Sequence, residues 1–219
     1  MTKQITASVE HKDIIVSFLS GIIDFCKRNK QGVLTALVIL VLAAVIGSFY
    51  SNHLKKVTQD SWAGYYTAQV ALLSGEEQEG FKLIDQLTEK YPGTDAAQYA
   101  VLLKGDVLYA AENYAQAADA YKTLSASKNP TVHTVAALSL AASQQALKDY
   151  QAAADGMNGF IQNNPKSFAL PQAYLTLAMS QELAGNKTEA LNAYKHLSEA
   201  YTNTYFGAAA KDKMAELQK

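Results

Sequence analysis

The chain of 219 residues contains a single cysteine, Cys26. With no second thiol, a disulfide framework and a dithiol redox pair are excluded, and a lone cysteine on an apolar stretch reads as a small buried hydrophobe. Residues that carry chemistry are equally sparse. The four histidines, His11, His53, His133 and His196, stand far apart, and none belongs to an H-x-x-x-H or H-E-x-x-H pair that would hold a metal. Neither G-x-G-x-x-G nor G-x-x-x-x-G-K-[ST] occurs, so the backbone cradles that hold nucleotide phosphates are missing. Glu76, Glu77 and Glu79 lack the oxygen spacing of a calcium loop and suit the positive end of a helix instead. Asn186-Lys-Thr matches a glycosylation acceptor, a three-residue pattern that often arises by chance. An enzyme must place a nucleophile, an acid/base pair, a metal or a cofactor phosphate. No such set is present, so no enzyme activity, catalytic residue, metal, cofactor or small-molecule substrate is expected. The rival reading is an active site assembled from scattered residues such as His133, His196 and the carboxylates.

A surplus of positive charge is also missing from most of the chain. From Asp60 onward twelve lysines face seventeen carboxylates, and a body of that balance is a poor match for nucleic-acid phosphates. Before Asp60 the balance reverses: Lys3, Lys12, Lys27, Arg28, Lys30, Lys55 and Lys56 outnumber Glu10, Asp13 and Asp24.

Charge of either sign is absent from Gly32 to Tyr50, "GVLTALVILVLAAVIGSFY". A helix over 32–50 spans about 28 Å, close to the thickness of a hydrocarbon core, which predicts a single transmembrane helix. A soluble helix of that length would show a polar face, and this one has only Thr35 and Ser48. A cleaved signal peptide does not fit, because a long segment precedes the run and no clear small-x-small site follows it. No cysteine follows either, which excludes a lipoprotein anchor. Phe49 and Tyr50 sit where rings favour the interface. Lys27, Arg28 and Lys30 outnumber Lys55 and Lys56, which places the amino terminus in the cytoplasm and the body outside it. Within 1–31, "DIIVSFLSGIIDFCK" has apolar residues at 14, 15, 18, 19, 22, 25 and 26, the spacing of an amphipathic helix in the headgroup plane.

The body carries a repeat. The turns "LSGEE", "AAENY", "LKDYQ" and "LAGNK" centre on Gly75, Glu112, Lys148 and Gly185, which stand 37, 36 and 37 residues apart. Five residues after each centre is a small residue (Gly80, Ala117, Ala153, Ala190), nine after a large one (Ile84, Tyr121, Met157, Tyr194), and twelve after Leu87, Leu124, Phe160 or Leu197. Seven before each centre comes another small residue: Ala68, Gly105, Ala141, Ala178. Small residues at matched places let two helices approach, and the large ones fill the grooves beside the contact. Each unit is therefore a helical hairpin, and hairpins must stack to bury their open faces. Pro92, Pro130 and Pro165 are expected to end the second helices. "GAAAKDKMAELQK" keeps Ala209, Ala210, Met214 and Leu217 on one side, as a capping helix over 203–219 would. The fold class expected is all-α: an amphipathic segment, a span, a helical stalk over 51–61, four hairpins over 62–202 and a cap.

The order of small residue, tyrosine-bearing helix, turn, "NYAQA", tyrosine, leucine and proline resembles the tetratricopeptide repeat, best in "GDVLYAAENYAQAADAYKTL". A basic amino-terminal helix, one span and degenerate repeats together are similar to the YfgM-like ancillary subunits of the bacterial SecYEG translocon. That resemblance implies an inner-membrane protein with its repeats in the periplasm, contacting chaperones, translocon subunits or client chains. Carried over from the resembled repeat, the groove would be lined by Trp62, Tyr65 and Gln69, by Tyr99, Leu102, Asp106 and Tyr109, by Leu138 and Gln145, and by Leu175, Met179 and Glu182. Such a face is aromatic, apolar and mildly acidic, suited to apolar segments of partner chains. Equally, these side chains could pack against the next hairpin. A homo-oligomer whose groove is filled by its own partner chain is the other alternative. Because no proline or glycine interrupts 51 to 62, the spanning helix is expected to run on into the first repeat helix. Limited proteolysis of the intact protein should therefore spare 51–62; early cleavage there would show a break.

Overall fold

The computed structural model describes residue 16 and residues 20–219, and no strand occurs among the described residues. The chain forms two compact units, Met1–Lys56 and Val57–Lys219. In the first, residues 20–28 are helical and helix α1 (Lys30–Leu73) begins. Ile14, Ile15, Phe18 and Leu19 of the expected amphipathic face lie outside the described residues. Cys26 is free and half-buried. Among the described residues α1 is the one helix long and apolar enough to cross a membrane, and no residue of its most apolar stretch is buried. It continues without a break to Leu73.

The second unit consists of helix pairs. The end of α1 pairs with α2 (Glu77–Lys90), α3 (Asp95–Ala110) with α4 (Tyr114–Thr123), α5 (Pro130–Ala146) with α6 (Tyr150–Asn163), and α7 (Leu170–Leu183) with α8 (Lys187–Ala200); α9 (Tyr205–Leu217) follows. Each pair turns on the residue at the centre of the sequence repeat. Gly75, Glu112, Lys148 and Gly185 have φ of 80, 60, 63 and 83°, in the left-handed region. At each, the amide of the turn residue donates to the carbonyl three back, and the next amide to the carbonyl five behind it, as Glu76 N does to Ala71 O at 2.9 Å. This double closure satisfies the carbonyls left over at a helix end. Glycine takes the conformation freely, whereas Glu112 and Lys148 pay for it in steric strain.

The small and large residues of the repeat behave as their spacing requires. Ala68, Ala117, Ala153, Ala178 and Ala190 have no exposed surface, and Gly80, Gly105 and Ala141 are buried beside them. Ile84, Tyr121, Met157 and Tyr194 are at most 2% exposed. Gly105 shows why: a Cβ built there would lie 2.5 Å from Cε1 of Tyr121, so the ring rests on the bare backbone of α3.

The prolines divide into two kinds. Pro92 and Pro165 follow α2 and α6 closely, as expected. Pro130 instead begins α5; α4 has already ended at Thr123. A proline has no amide to lose at the first helical position, and the Asn129 side chain accepts from the amides of Thr131 and Val132 at 3.0 and 3.2 Å.

Along the unit α3 touches α5, α5 touches α7 and α7 touches α9, whereas among the described residues no two second helices touch. The first helices thus form a continuous inner layer. The capping helix seats Ala210 in the core of the last hairpins with Met214 and Leu217 packed around it, and Lys211, Asp212 and Glu216 are exposed.

Two substitutions test this packing. Gly105→Ala should cost about 1 to 3 kcal/mol of stability, because the new methyl overpacks a buried ring. Lys148→Gly should add about 1 kcal/mol by releasing the left-handed strain. Thermal melts of both variants beside the parent check the opposite signs.

Candidate functional site

The inner layer presents an aromatic cluster at its amino-terminal end. The Trp62 ring lies 5.4 Å from Tyr65, 6.0 Å from Tyr66 and 5.8 Å from Tyr99, centroid to centroid. Tyr65 and Tyr66 meet edge to face at 5.3 Å, and Gln69 Nε2 reaches the Tyr65 hydroxyl at 3.5 Å. Sequence neighbours on one helix and a ring from the next are thus brought to one place, in the offset and edge geometries that rings prefer. Burial, then Tyr66, Asp106 and Tyr99, push the Tyr65 phenol above its ordinary range, so it stays neutral. Further along, Tyr109 lies 5.1 Å from Tyr114 and is 37% exposed. Met179 is accessible to a similar degree.

Other residues of the expected groove are engaged inside the protein. Leu102 is buried against Val132 and Ala136 of the next first helix and offers no surface. Leu138 and Leu175, at the matching places of α5 and α7, are half-buried against the last core cluster. Gln145 Nε2 donates to Ser180 Oγ at 2.8 Å and to Thr176 O at 3.3 Å, tying α5 to α7. Asp106 Oδ1 accepts from the Tyr121 hydroxyl at 2.6 Å, and Glu182 Oε2 from that of Tyr194 at 2.7 Å. Lys213 of the cap then reaches Glu182 Oε1 at 3.4 Å and Glu216 at 3.1 Å, and the two carboxylates hold its pKa above the usual lysine range. Residue type alone does not separate these roles, since a leucine ten positions before a turn serves a core or a groove equally well.

Accessible residues that the sequence reading did not single out are Tyr66, Val70, Leu73, Val135 and Leu183. Tyr66 stands one position from Tyr65, and its exposure follows from the next step around the helix. A separate cavity of about 300 Å³ lies between α4, α5 and α6, walled by Leu140, Met157 and Phe160, where Gly156 and Gly159 leave open space. Among the described residues no group of His, Cys, Asp and Glu side chains is placed to hold a metal.

This arrangement of stacked helical hairpins defines a class, the helical-repeat proteins. Residues 24–204 match the tetratricopeptide repeat-like domain family, and the chain belongs to that family. It is similar in structure to a putative kinesin light chain of Podosopora anserina with nearly identical TPR-like repeats, at 14% identity and a TM-score of 0.55, over 71% of this chain and 83% of that one. It is also similar to MamA residues 41-end of Desulfovibrio magneticus RS-1, at 14% identity and a TM-score of 0.50, over 73% and 94%. At such identities the likeness is one of fold. No curated protein matches the chain.

The two buried tyrosines predict an alkaline limit. Burial first, and then the hydrogen-bonded Asp106 and Glu182, raise the phenols of Tyr121 and Tyr194 well above 10.0, with Ser139 working slightly the other way at Tyr121. A group bound more tightly to its proton when folded contributes stability fully below its unfolded pKa and loses it as pH rises above. Stability should therefore fall steeply above about pH 10. The Tyr121→Phe, Tyr194→Phe double variant should show a shallower fall in denaturant titrations across that range.

Proposed function

We propose that this chain is a membrane-anchored, non-catalytic protein-interaction scaffold. A repeat-like fold of this family is one that suggests protein partners. The observation that carries the anchored reading is the apolar stretch of α1, which has a mean hydropathy of 2.6 with none of it buried. A helix so apolar and so uncovered is at home in hydrocarbon, where its backbone groups are satisfied within the helix. The basic residues Lys27, Arg28 and Lys30 support an amino terminus in the cytoplasm and repeats on the far side, in the periplasm of a bacterial inner membrane.

On this reading the accessible rings and Met179 receive apolar segments of chaperones, translocon subunits or client chains, and assist translocation or envelope assembly. The Trp62, Tyr65 and Tyr99 cluster supports it, because large rings with few rotatable bonds are the side chains that most often anchor a partner. Asp106 and Glu182 add only a mild acidic character, since each already holds an internal hydroxyl.

Carbonate extraction and protease protection of intact vesicles test the anchor; release of the chain by carbonate would remove it. For the face, Trp62→Ala and Tyr109→Ala should each weaken capture of chains cross-linked in native membranes by about 2 kcal/mol, with melting little changed. Binding that survives in variants that melt early would make these rings part of the core. High salt should leave the interaction nearly intact, as expected of an apolar contact.

A further inference from the structure

In the repeat register, positions sixteen, twelve, nine and five before each turn fall on one face of the first helix. In the later hairpins this face is turned toward the preceding hairpin and largely buried: Ala96 and Ala100 in the second, Val132, Ala136 and Ser143 in the third, Ala169, Ala173, Thr176 and Ser180 in the fourth. The matching residues of α1 are Gln59, Ala63, Tyr66 and Val70, and all four are exposed. Tyr66 is 58% and Val70 62% exposed, and Leu73, one step further on, is 82% exposed. Alanine stands at the twelfth position in all four hairpins, so α1 keeps the small residue that lets a neighbour approach, yet Ala63 is exposed. The other end of the repeat unit is different, because α9 packs on α7 and α8 there. A stack of this kind needs a polar outer face or a cover at each end.

What covers α1 is constrained by its chemistry and spacing. From Ser61 to Gly75 there is no charged side chain, so two identical faces can meet without bringing like charges together. Ala63, Tyr66, Val70 and Leu73 follow the three-four-three spacing of a two-helix seam. In the third and fourth hairpins the preceding hairpin covers this place with both its helices, the second more extensively than the first, and a second α1 supplies one helix whose own face is equally open. One contact therefore closes two uncovered faces, the arrangement of a two-fold, isologous interface. We propose that two copies of this chain pair in parallel along α1, with Ala63, Tyr66, Val70 and Leu73 at the seam. The parallel direction rests on the membrane anchor proposed above, because copies held in one bilayer by the same stretch enter the pair the same way round; the uncovered face does not depend on it.

Disulfide trapping of the full chain in lipid vesicles tests the pair. On a Cys26→Ser background, Val70→Cys and Leu73→Cys should each, on oxidation, shift the non-reduced band from 23.7 kDa to that of a dimer. Phe168→Cys, on the exposed loop before α7 and itself 80% accessible, should stay monomeric. A dimer at neither seam position, at only one of them, or as readily at Phe168 overturns the proposal. Flotation of the same vesicles reads the anchor separately. A chain that floats and does not cross-link sinks the pairing alone, whereas one that cross-links at both positions without floating keeps the pair and removes the anchor.

Discussion

The repeat unit depends on how closely two helix backbones approach within each hairpin. Where Gly105 stands, no side chain keeps the ring of Tyr121 away, and that ring slides over α3 until its hydroxyl reaches Asp106. Tyr194 does the same kind of work in the last hairpin, and the Glu182 that receives its hydroxyl also receives Lys213 of the capping helix. A packing contact between a small residue and a ring thus decides which carboxylates of the inner layer remain available and how the end of the stack is held. Enlarging the small partner would disturb the polar layer along with the core.

Much of this was readable from residues alone because it recurs. The turn centres were legible from their spacing, and each has the left-handed backbone that a tight helix-to-helix turn demands, even where Glu112 and Lys148 replace glycine. The small and large positions were legible for the same reason. Features that do not recur were harder. Pro130 looked like the terminator that Pro92 and Pro165 are, yet Asn129 beside it makes a better helix start, and α4 stops early among serines. The inner face was legible only in part. Helical spacing placed Tyr99 and Leu102 on adjoining sides of α3, and only the neighbouring α5, with Val132 and Ala136, shows that Leu102 belongs to the core. Hydrogen-bond partners such as Ser180 for Gln145 lie one repeat away and leave no trace in local pattern.

The four hairpins are also unequal in ways that matter for a nearest-neighbour stack. The outer two turn on glycine and the inner two on strained residues. The third hairpin carries Gly156 and Gly159 on its second helix beside open space, whereas the fourth closes tightly around Tyr194, Leu197 and the cap. Local opening should accordingly favour the middle of the array over its carboxyl end.

The aromatic cluster has a consequence for spectroscopy. The chain has one tryptophan, and Trp62 stands among three tyrosine rings on the inner layer. Excited at the red edge of the aromatic band, where tyrosine scarcely absorbs, the intact protein therefore emits almost entirely from that one indole. Its wavelength and polarisation report the dryness and mobility of that patch without any attached dye, so the molecule carries its own optical gauge of whether the amino-terminal end of the inner layer is covered.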